Sequence, residues 1–128
     1  MNINEINVRS GQVVDAAMRV HSALGPGLLE SAYESCLAYE LRKRGLRVLA
    51  QVPLAVVYEG VRIELGYRVD LLVDDAVVIE LKAMGKVLPV HEAQLLSYLR
   101  LNDYPVELLI NFHELHLKDG IKRVVNNL

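Results

Sequence analysis

Two short apolar segments in the middle of the chain, Tyr67–Val73 and Ala76–Lys82, are separated only by Asp74 and Asp75. They form the most apolar pair of segments in the sequence, and they are rich in Val, Leu and Ile. Such residues favour strands, and a short acidic connection is typical of a hairpin. The pair therefore predicts two neighbouring antiparallel strands at the centre of a sheet.

Helical periodicity flanks this pair on both sides. From Ile6 to Leu24 the apolar residues recur at intervals of three and four, which predicts a first helix that ends at Gly25-Pro26-Gly27. A second helix is expected from about Leu29 to Arg44, with Gly45 as its C-terminal cap. A third is expected over Val90–Leu101.

The remaining apolar segments have the period of strands. Further strands are predicted at Leu46–Tyr58 (broken at Pro53), at Val61–Leu65 after a Glu59-Gly60 turn, at Val106–Phe112, and at the edge over Gly120–Val125. Together with the helices, they predict an α/β fold.

Size and composition predict one compact domain over residues 1–128. Of the 128 residues, 52% are hydrophobic, which is enough for a single core. Cys36 is the only cysteine, so an intramolecular disulfide is excluded and a reducing compartment is expected. The first ten residues do not resemble a signal peptide, and charges interrupt every apolar run. We therefore expect a cytoplasmic protein that does not associate with a membrane.

The charge balance argues against strong binding to duplex nucleic acid. The formal net charge is −2, whereas nonspecific affinity for nucleic acid depends largely on Lys and Arg residues that neutralise phosphates. Any nucleic-acid substrate therefore has to be engaged by a local site or with the help of a partner.

Within Ala76–Lys82, strand alternation places Glu80 and Lys82 on one face and the aliphatic residues between them on the other. A loop centred on Asp75 would set Asp70 directly across from Glu80. This register requires either a three-residue loop or a β-bulge near Asp70.

Two facing carboxylates in apolar strands repel each other unless a cation lies between them. Oxygen ligands of this kind favour Mg²⁺ or Mn²⁺, and such a metal next to a lysine suits phosphodiester hydrolysis. The simpler alternative is that Glu80 and Lys82 form an ordinary ion pair on a strand.

Asp70 followed by Glu80-Leu81-Lys82 resembles the signature of the PD-(D/E)XK nuclease superfamily. Val69 occupies the position of the proline in the superfamily's name. Other stretches resemble patterns of its QxxxY-containing branch and of the GxxExxY protein family: Gly27–Tyr33, Gln51–Pro53, Tyr67–Asp70, Gln94–Tyr98 and Leu109–Phe112. The resemblance extends over nearly the whole chain, with the motifs in order.

The resemblance implies a restriction-endonuclease-like fold, in which helices flank a central mixed β-sheet. It also implies a Mg²⁺-dependent nuclease, with Mn²⁺ as a substitute and DNA as the expected substrate. The implied metal ligands are Glu30, Asp70, Glu80 and the carbonyl of Leu81, the implied catalytic lysine is Lys82, and the residues that shape the site are Gln94 and Tyr98.

Two other functions stay open at this point. A module of the same fold could bind nucleic acid or a protein partner without useful turnover, because fold alone does not determine function. A structural dimerisation domain, in which Glu80 and Lys82 merely pair, is the third hypothesis. A homodimer would also enlarge the binding surface of such a small domain.

Overall fold

The structure is a computed structural model that describes residues 1–85 and 88–126. Within these residues there are three α-helices and five strands, and a 3-10 turn at Leu117–Gly120 precedes the last strand. The elements are α1 (Ile3–Leu24), α2 (Glu30–Lys43), β1 (Val48–Tyr58), β2 (Val61–Val73), β3 (Val77–Lys82), α3 (Pro89–Asn102), β4 (Val106–Asn111) and β5 (Ile121–Val125).

In the described part of the chain, the strands form one sheet in the order β1-β2-β3-β4-β5. The pair β3 and β4 is parallel, and α3 makes the crossover between them, whereas the other neighbouring pairs are antiparallel. The prediction of a central mixed sheet flanked by helices is confirmed. One domain over residues 1–128 stays a prediction.

The structure corrects two predictions about strand boundaries. The segments Val61–Leu65 and Tyr67–Val73 are one continuous strand, because Gly66 adopts a φ of 69° and lets β2 bend without ending. β1 also continues past Pro53, with a register shift against β2 between Pro53 and Ala55. β1 lies at the edge of the sheet, where a strand tolerates a proline and its missing N–H group.

Helices cover both faces of the central strands. The aliphatic residues of β3 at odd positions pack into one cluster with α1 and α2, whereas Val78 packs with Leu99 of α3 on the opposite face. Strands that are buried on both faces have nearly continuous apolar sequences, as β3 and β4 do. A charged residue inside either strand therefore has little access to solvent.

The C-terminal end of α2 has the predicted glycine cap. Gly45 adopts a φ of 87° and donates its N–H to the carbonyl of Arg42 at 2.9 Å, and Leu46 donates to Leu41 at 3.2 Å. The cap turns the chain from α2 into β1. No helix in the described residues is both long and apolar enough to cross a membrane.

Candidate active site

Asp70 and Glu80 lie where the pairing of β2 with β3 ends. The backbone pairs run from Val73 with Val77 to Leu71 with Ile79. Immediately beyond these pairs, backbone N–H groups donate to side-chain carboxylates. Asp70 Oδ2 accepts the N–H of Leu81 at 2.8 Å, and Glu80 Oε1 accepts the N–H of Asp70 at 3.2 Å. Both carboxylates are thus fixed by backbone groups.

The predicted loop sets this register. Residues 74–76 form a three-residue connection, and Leu71 pairs with Ile79, so positions 70 and 80 come next in line. The carboxylate of Asp74 accepts hydrogen bonds from Nε of Arg9 at 2.7 Å and from the N–H of Arg47 at 2.9 Å. The three-residue loop is confirmed, and α1 helps to hold it.

The alternation of β2 is interrupted beside Asp70. Val69 and Leu72 pack into the same core cluster although they are three positions apart, whereas Leu71 packs into the cluster on the opposite face. On the neighbouring strand, Gln51 adopts a φ of 54°. The irregularity brings Asp70 into a cavity beside α2 rather than into the core.

Glu80 is buried in a way that suits a cation-binding group. Only 3% of the residue is exposed, and burial together with the negative charge of Asp70 raises the pKa of Glu80 to about 7. The charge of Lys82, two residues further along β3, opposes this increase in the pKa. An additional positive charge close to Asp70 and Glu80 would favour the ionised form of both acids.

The start of α2 brings a third acid to the same place. Glu30 is the first residue of the helix, and its Oε1 accepts the N–H of Ala83 at 3.1 Å, just after β3 ends. A cavity of about 580 Å³ lies between α2 and the sheet. It is lined by Leu28, Leu29, Glu30, Ser31, Glu34, Gln51, Asp70, Leu81 and Ala83.

A family model described as the PD-(D/E)XK nuclease superfamily matches residues 7–124. The chain belongs to this superfamily. Searches of curated proteins and of solved structures found no match to the chain. The likeness to the GxxExxY protein family stays a resemblance carried by the motifs themselves.

The donor set of this PD-(D/E)XK protein fits a hard divalent cation. Glu30, Asp70 and Leu81 line one cavity, and Glu80 is hydrogen-bonded to Asp70. Carboxylate and carbonyl oxygens are the ligands that Mg²⁺ prefers. In the described residues, no three Asp, Glu, His or Cys side chains already converge as metal ligands. The three acids instead accept backbone N–H groups, so a bound metal would compete with these hydrogen bonds.

The sequence analysis assigned no role to two residues that line the cavity between α2 and the sheet. Nε2 of Gln51 donates to Glu34 Oε1 at 2.6 Å and to Asp70 Oδ1 at 3.2 Å. Burial raises the pKa of Glu34, and the charges of Asp70 and Glu30 add to this effect. The spacing in the sequence could have indicated Glu34, because it lies four residues after Glu30 and therefore on the same helix face. Gln51 belongs to the motif pattern, which by itself indicated no role for its side chain.

The two predicted residues of α3 have different surroundings. Tyr98 stacks on Tyr67 with ring centroids 4.2 Å apart, and the Tyr67 hydroxyl interacts with Glu80. Burial and the negative charges of Glu80, Glu107 and Asp70 raise the pKa of Tyr67. The side chain of Gln94 is exposed one turn before Tyr98, and neither Gln94 nor Tyr98 is among the described residues that line the cavity.

A buried amide holds the chain just after Lys82. Asn111 is 2% exposed and pairs in register with Lys82. Its Nδ2 donates to the carbonyl of Met84 at 2.9 Å, and its Oδ1 accepts the N–H of Met84 at 3.3 Å. The N–H of Phe112 donates to the carbonyl of Lys82 at 2.8 Å. The end of β4 thus fixes the backbone that carries Lys82 and Ala83.

Proposed function

We propose that this PD-(D/E)XK protein is a Mg²⁺-dependent nuclease that hydrolyses phosphodiester bonds of DNA, with Mn²⁺ as a substitute. The observation that carries the proposal is the pairing of Asp70 with Glu80 at adjacent strand ends, with Lys82 close enough to lower the pKa of Glu80. An ordinary surface ion pair would not require a carboxylate that is 3% exposed. Membership of the superfamily supports a nuclease-type function in general.

Glu30, Asp70, Glu80 and the carbonyl of Leu81 would hold the ion. A divalent metal supplies Lewis acidity toward a phosphoryl oxygen and makes a coordinated water more acidic. Lys82 is on the strand face of Glu80, where its ammonium group can neutralise charge on the phosphate and orient the attacking water. Tyr98 would support this side of the site through its stack on Tyr67.

The net charge of −2 favours a second candidate function. A nuclease-fold module that binds metal, nucleic acid or a protein without turnover needs no strong electrostatic attraction to duplex DNA. Under either proposal, a second copy of the chain or another protein would supply further contacts to nucleic acid. We propose the cytoplasm as the location.

The deciding experiment is cleavage of labelled single- and double-stranded DNA and RNA by the purified chain with Mg²⁺, Mn²⁺ or EDTA. Asp70→Ala and Lys82→Ala are compared with Lys43→Ala, which changes an exposed lysine at the end of α2. We expect metal-dependent cleavage of DNA that is lost in the first two variants and retained in the third.

Metal binding without turnover is measured separately, as the increase in thermal midpoint when Mn²⁺ is added. Binding to the folded state alone stabilises a protein by about 2.7 kcal/mol at a hundred times the Kd. Stabilisation of the wild type without cleavage of any substrate would support the binding module. Cleavage that persists in EDTA or in Asp70→Ala would contradict the nuclease proposal.

A further inference from the structure

The hydroxyl of Tyr33 closes the loop that precedes α2. It donates to the carbonyl of Gly25 at 2.6 Å and accepts the N–H of Leu28 at 3.0 Å. The residue is completely buried, so water does not replace these contacts. A single side-chain oxygen therefore joins the two ends of the four-residue segment 25–28.

Two of the four residues of this segment are glycines, and a backbone hydrogen bond holds its first residue, since the N–H of Gly25 donates to the carbonyl of His21 at 2.7 Å. Gly25 and Gly27 have φ values of 70° and 102°, in the left-handed region where glycine is favoured. Leu29 occupies the N-cap position of α2, and an aliphatic side chain cannot accept a hydrogen bond from the first turn. The Tyr33 hydroxyl, one turn inside the helix, therefore supplies a side-chain contact to the loop just before the point where the helix begins.

The ring of Tyr33 connects the same point to the end of the sheet. It stacks on Phe112 with centroids 4.4 Å apart and an interplanar angle of 16°. Phe112 in turn donates its N–H to the carbonyl of Lys82 at 2.8 Å. Across this junction, Glu30 Oε1 accepts the N–H of Ala83 at 3.1 Å. The start of α2 and the end of β3 are thus tied together on two sides.

We propose that Tyr33 is the positioning residue for Glu30. Its hydroxyl fixes the 25–28 loop and its ring fixes the helix against Phe112, so that the Glu30 carboxylate reaches Ala83 and the cavity it shares with Asp70. Gly27 lies in the loop that Tyr33 closes, and Glu30 and Tyr33 lie about one turn apart on α2, which accounts for the spacing of the three residues. The metal-binding part of the inference rests on the proposed function.

Tyr33→Phe tests the role, since it keeps the stacked ring and removes only the hydroxyl. Mn²⁺ affinity is measured by electron paramagnetic resonance in the wild type, in Tyr33→Phe, in Glu30→Ala and in the double variant. We expect Tyr33→Phe to weaken binding by about 10-fold or more, as for other groups that orient metal ligands, and to have no further effect in Glu30→Ala. Tyr39→Phe, an exposed tyrosine on the same helix, is the matched control and should bind like the wild type.

Amide hydrogen exchange of the metal-free protein tests the positioning independently of any metal. Tyr33→Phe should speed exchange at both Leu28 and Ala83, whereas Glu30→Ala should speed it at Ala83 alone, with the core amide of Ile79 as the reference for global unfolding. Unchanged exchange at Ala83 in Tyr33→Phe, or equal weakening of Mn²⁺ binding with and without Glu30, overturns the inference. If the wild type does not bind Mn²⁺ but Ala83 responds as expected, the proposed function fails and the positioning role stands.

Discussion

Asp70 and Glu80 are joined by reciprocal side-chain contacts at the ends of β2 and β3: each carboxylate accepts a backbone N–H that belongs to, or directly follows, the other residue. This arrangement holds two carboxyl groups close together, of which Glu80 is buried and Asp70 half-buried, and burial together with the negative charge of Asp70 raises the pKa of Glu80 to about 7. The metal-free protein is therefore less stable than it would be with one neutral side chain at this site.

Glu80→Gln should raise the thermal midpoint of the metal-free protein at pH 8 and abolish cleavage. The folded-state pKa of about 7 lies above the ordinary value of 4.5, so the contribution of Glu80 to stability is present below pH 4.5 and is lost as the pH rises through 7. At pH 5 the side chain is neutral in the folded wild type, and the two proteins should differ less. Thermal unfolding in EDTA at both pH values measures this difference.

Glu64→Gln is the control for Glu80→Gln, because it neutralises an exposed carboxylate on β2. It should change the midpoint little at either pH. A Glu80→Gln protein whose stability falls between pH 5 and 8 as steeply as that of the wild type would contradict the pKa argument.

A second buried acid, Glu107 on β4, is outside the proposed metal site. It is 1% exposed, and its Oε1 has no hydrogen-bond partner among the described residues. Burial, followed by the negative charge of Glu80, raises the pKa of Glu107 to about 9. At neutral pH the folded protein therefore carries Glu107 as a neutral acid, while the unfolded chain ionises it.

Glu107→Gln should flatten the pH dependence of stability. In the wild type, stability falls as the pH rises from 4.5 toward 9, by about 1.4 kcal/mol per pH unit for this one group. The variant has no proton to lose, so its free energy of unfolding should decline less steeply. Urea unfolding at pH 5, 7 and 9 measures both slopes, and parallel slopes would rule out a neutral Glu107 in the folded state.

The register at Asp70 and Glu80 was predictable from sequence because two local quantities determine it. Strand alternation assigns the faces of β3, and the length of the loop at residues 74–76 sets which residues of β2 and β3 are opposite each other. The glycine cap at Gly45 is equally local. Such features depend on residues that are close in the chain.

Three features were not predictable from local sequence: the contacts of Gln51, the burial of Glu107 and the loop contacts of Tyr33. Gln51 reaches Glu34 and Asp70 only because β1 pairs with β2 and passes α2, which is a long-range arrangement. Glu107 interrupts an apolar strand, and periodicity alone cannot tell a buried neutral acid from a solvated one. The hydroxyl of Tyr33 bonds to backbone groups of a glycine loop, whose path no side-chain pattern specifies.

Tyr67→Phe should raise the pKa of Glu80 further. The Tyr67 hydroxyl interacts with Glu80 and lowers its pKa, while the Tyr67 ring stacks on Tyr98 at 4.2 Å and would be retained. The midpoint is read from the carboxyl ¹³C shift of Glu80 in the metal-free protein. Tyr98→Phe keeps both the stack and the Tyr67 hydroxyl, so its Glu80 midpoint should match the wild type. An unchanged midpoint in Tyr67→Phe would contradict this effect of the Tyr67 hydroxyl on the pKa of Glu80.

Asn111→Ala should destabilise the fold and lower cleavage more than the loss of stability explains. Asn111 satisfies both backbone groups of Met84, and its removal leaves these partly buried groups without that partner, which costs at most about 1–3 kcal/mol. The same contacts hold the segment that carries Lys82, so the lysine should lose its fixed position as well. Urea unfolding gives the stability, and the cleavage rate is measured under conditions where each protein is fully folded.

Asn111→Asp distinguishes the effect of Asn111 on the stability of the fold from its effect on the position of Lys82. Aspartate keeps the shape and an acceptor for the N–H groups of Met84 and His113, but it loses the donor to the carbonyl of Met84. If the amide acts by holding the Lys82 segment, the Asp variant should also cleave more slowly while folded, and Mn²⁺ affinity should change less than the rate. An Asn111→Ala protein with wild-type stability and wild-type cleavage would show that the end of β4 does not hold Lys82 in place.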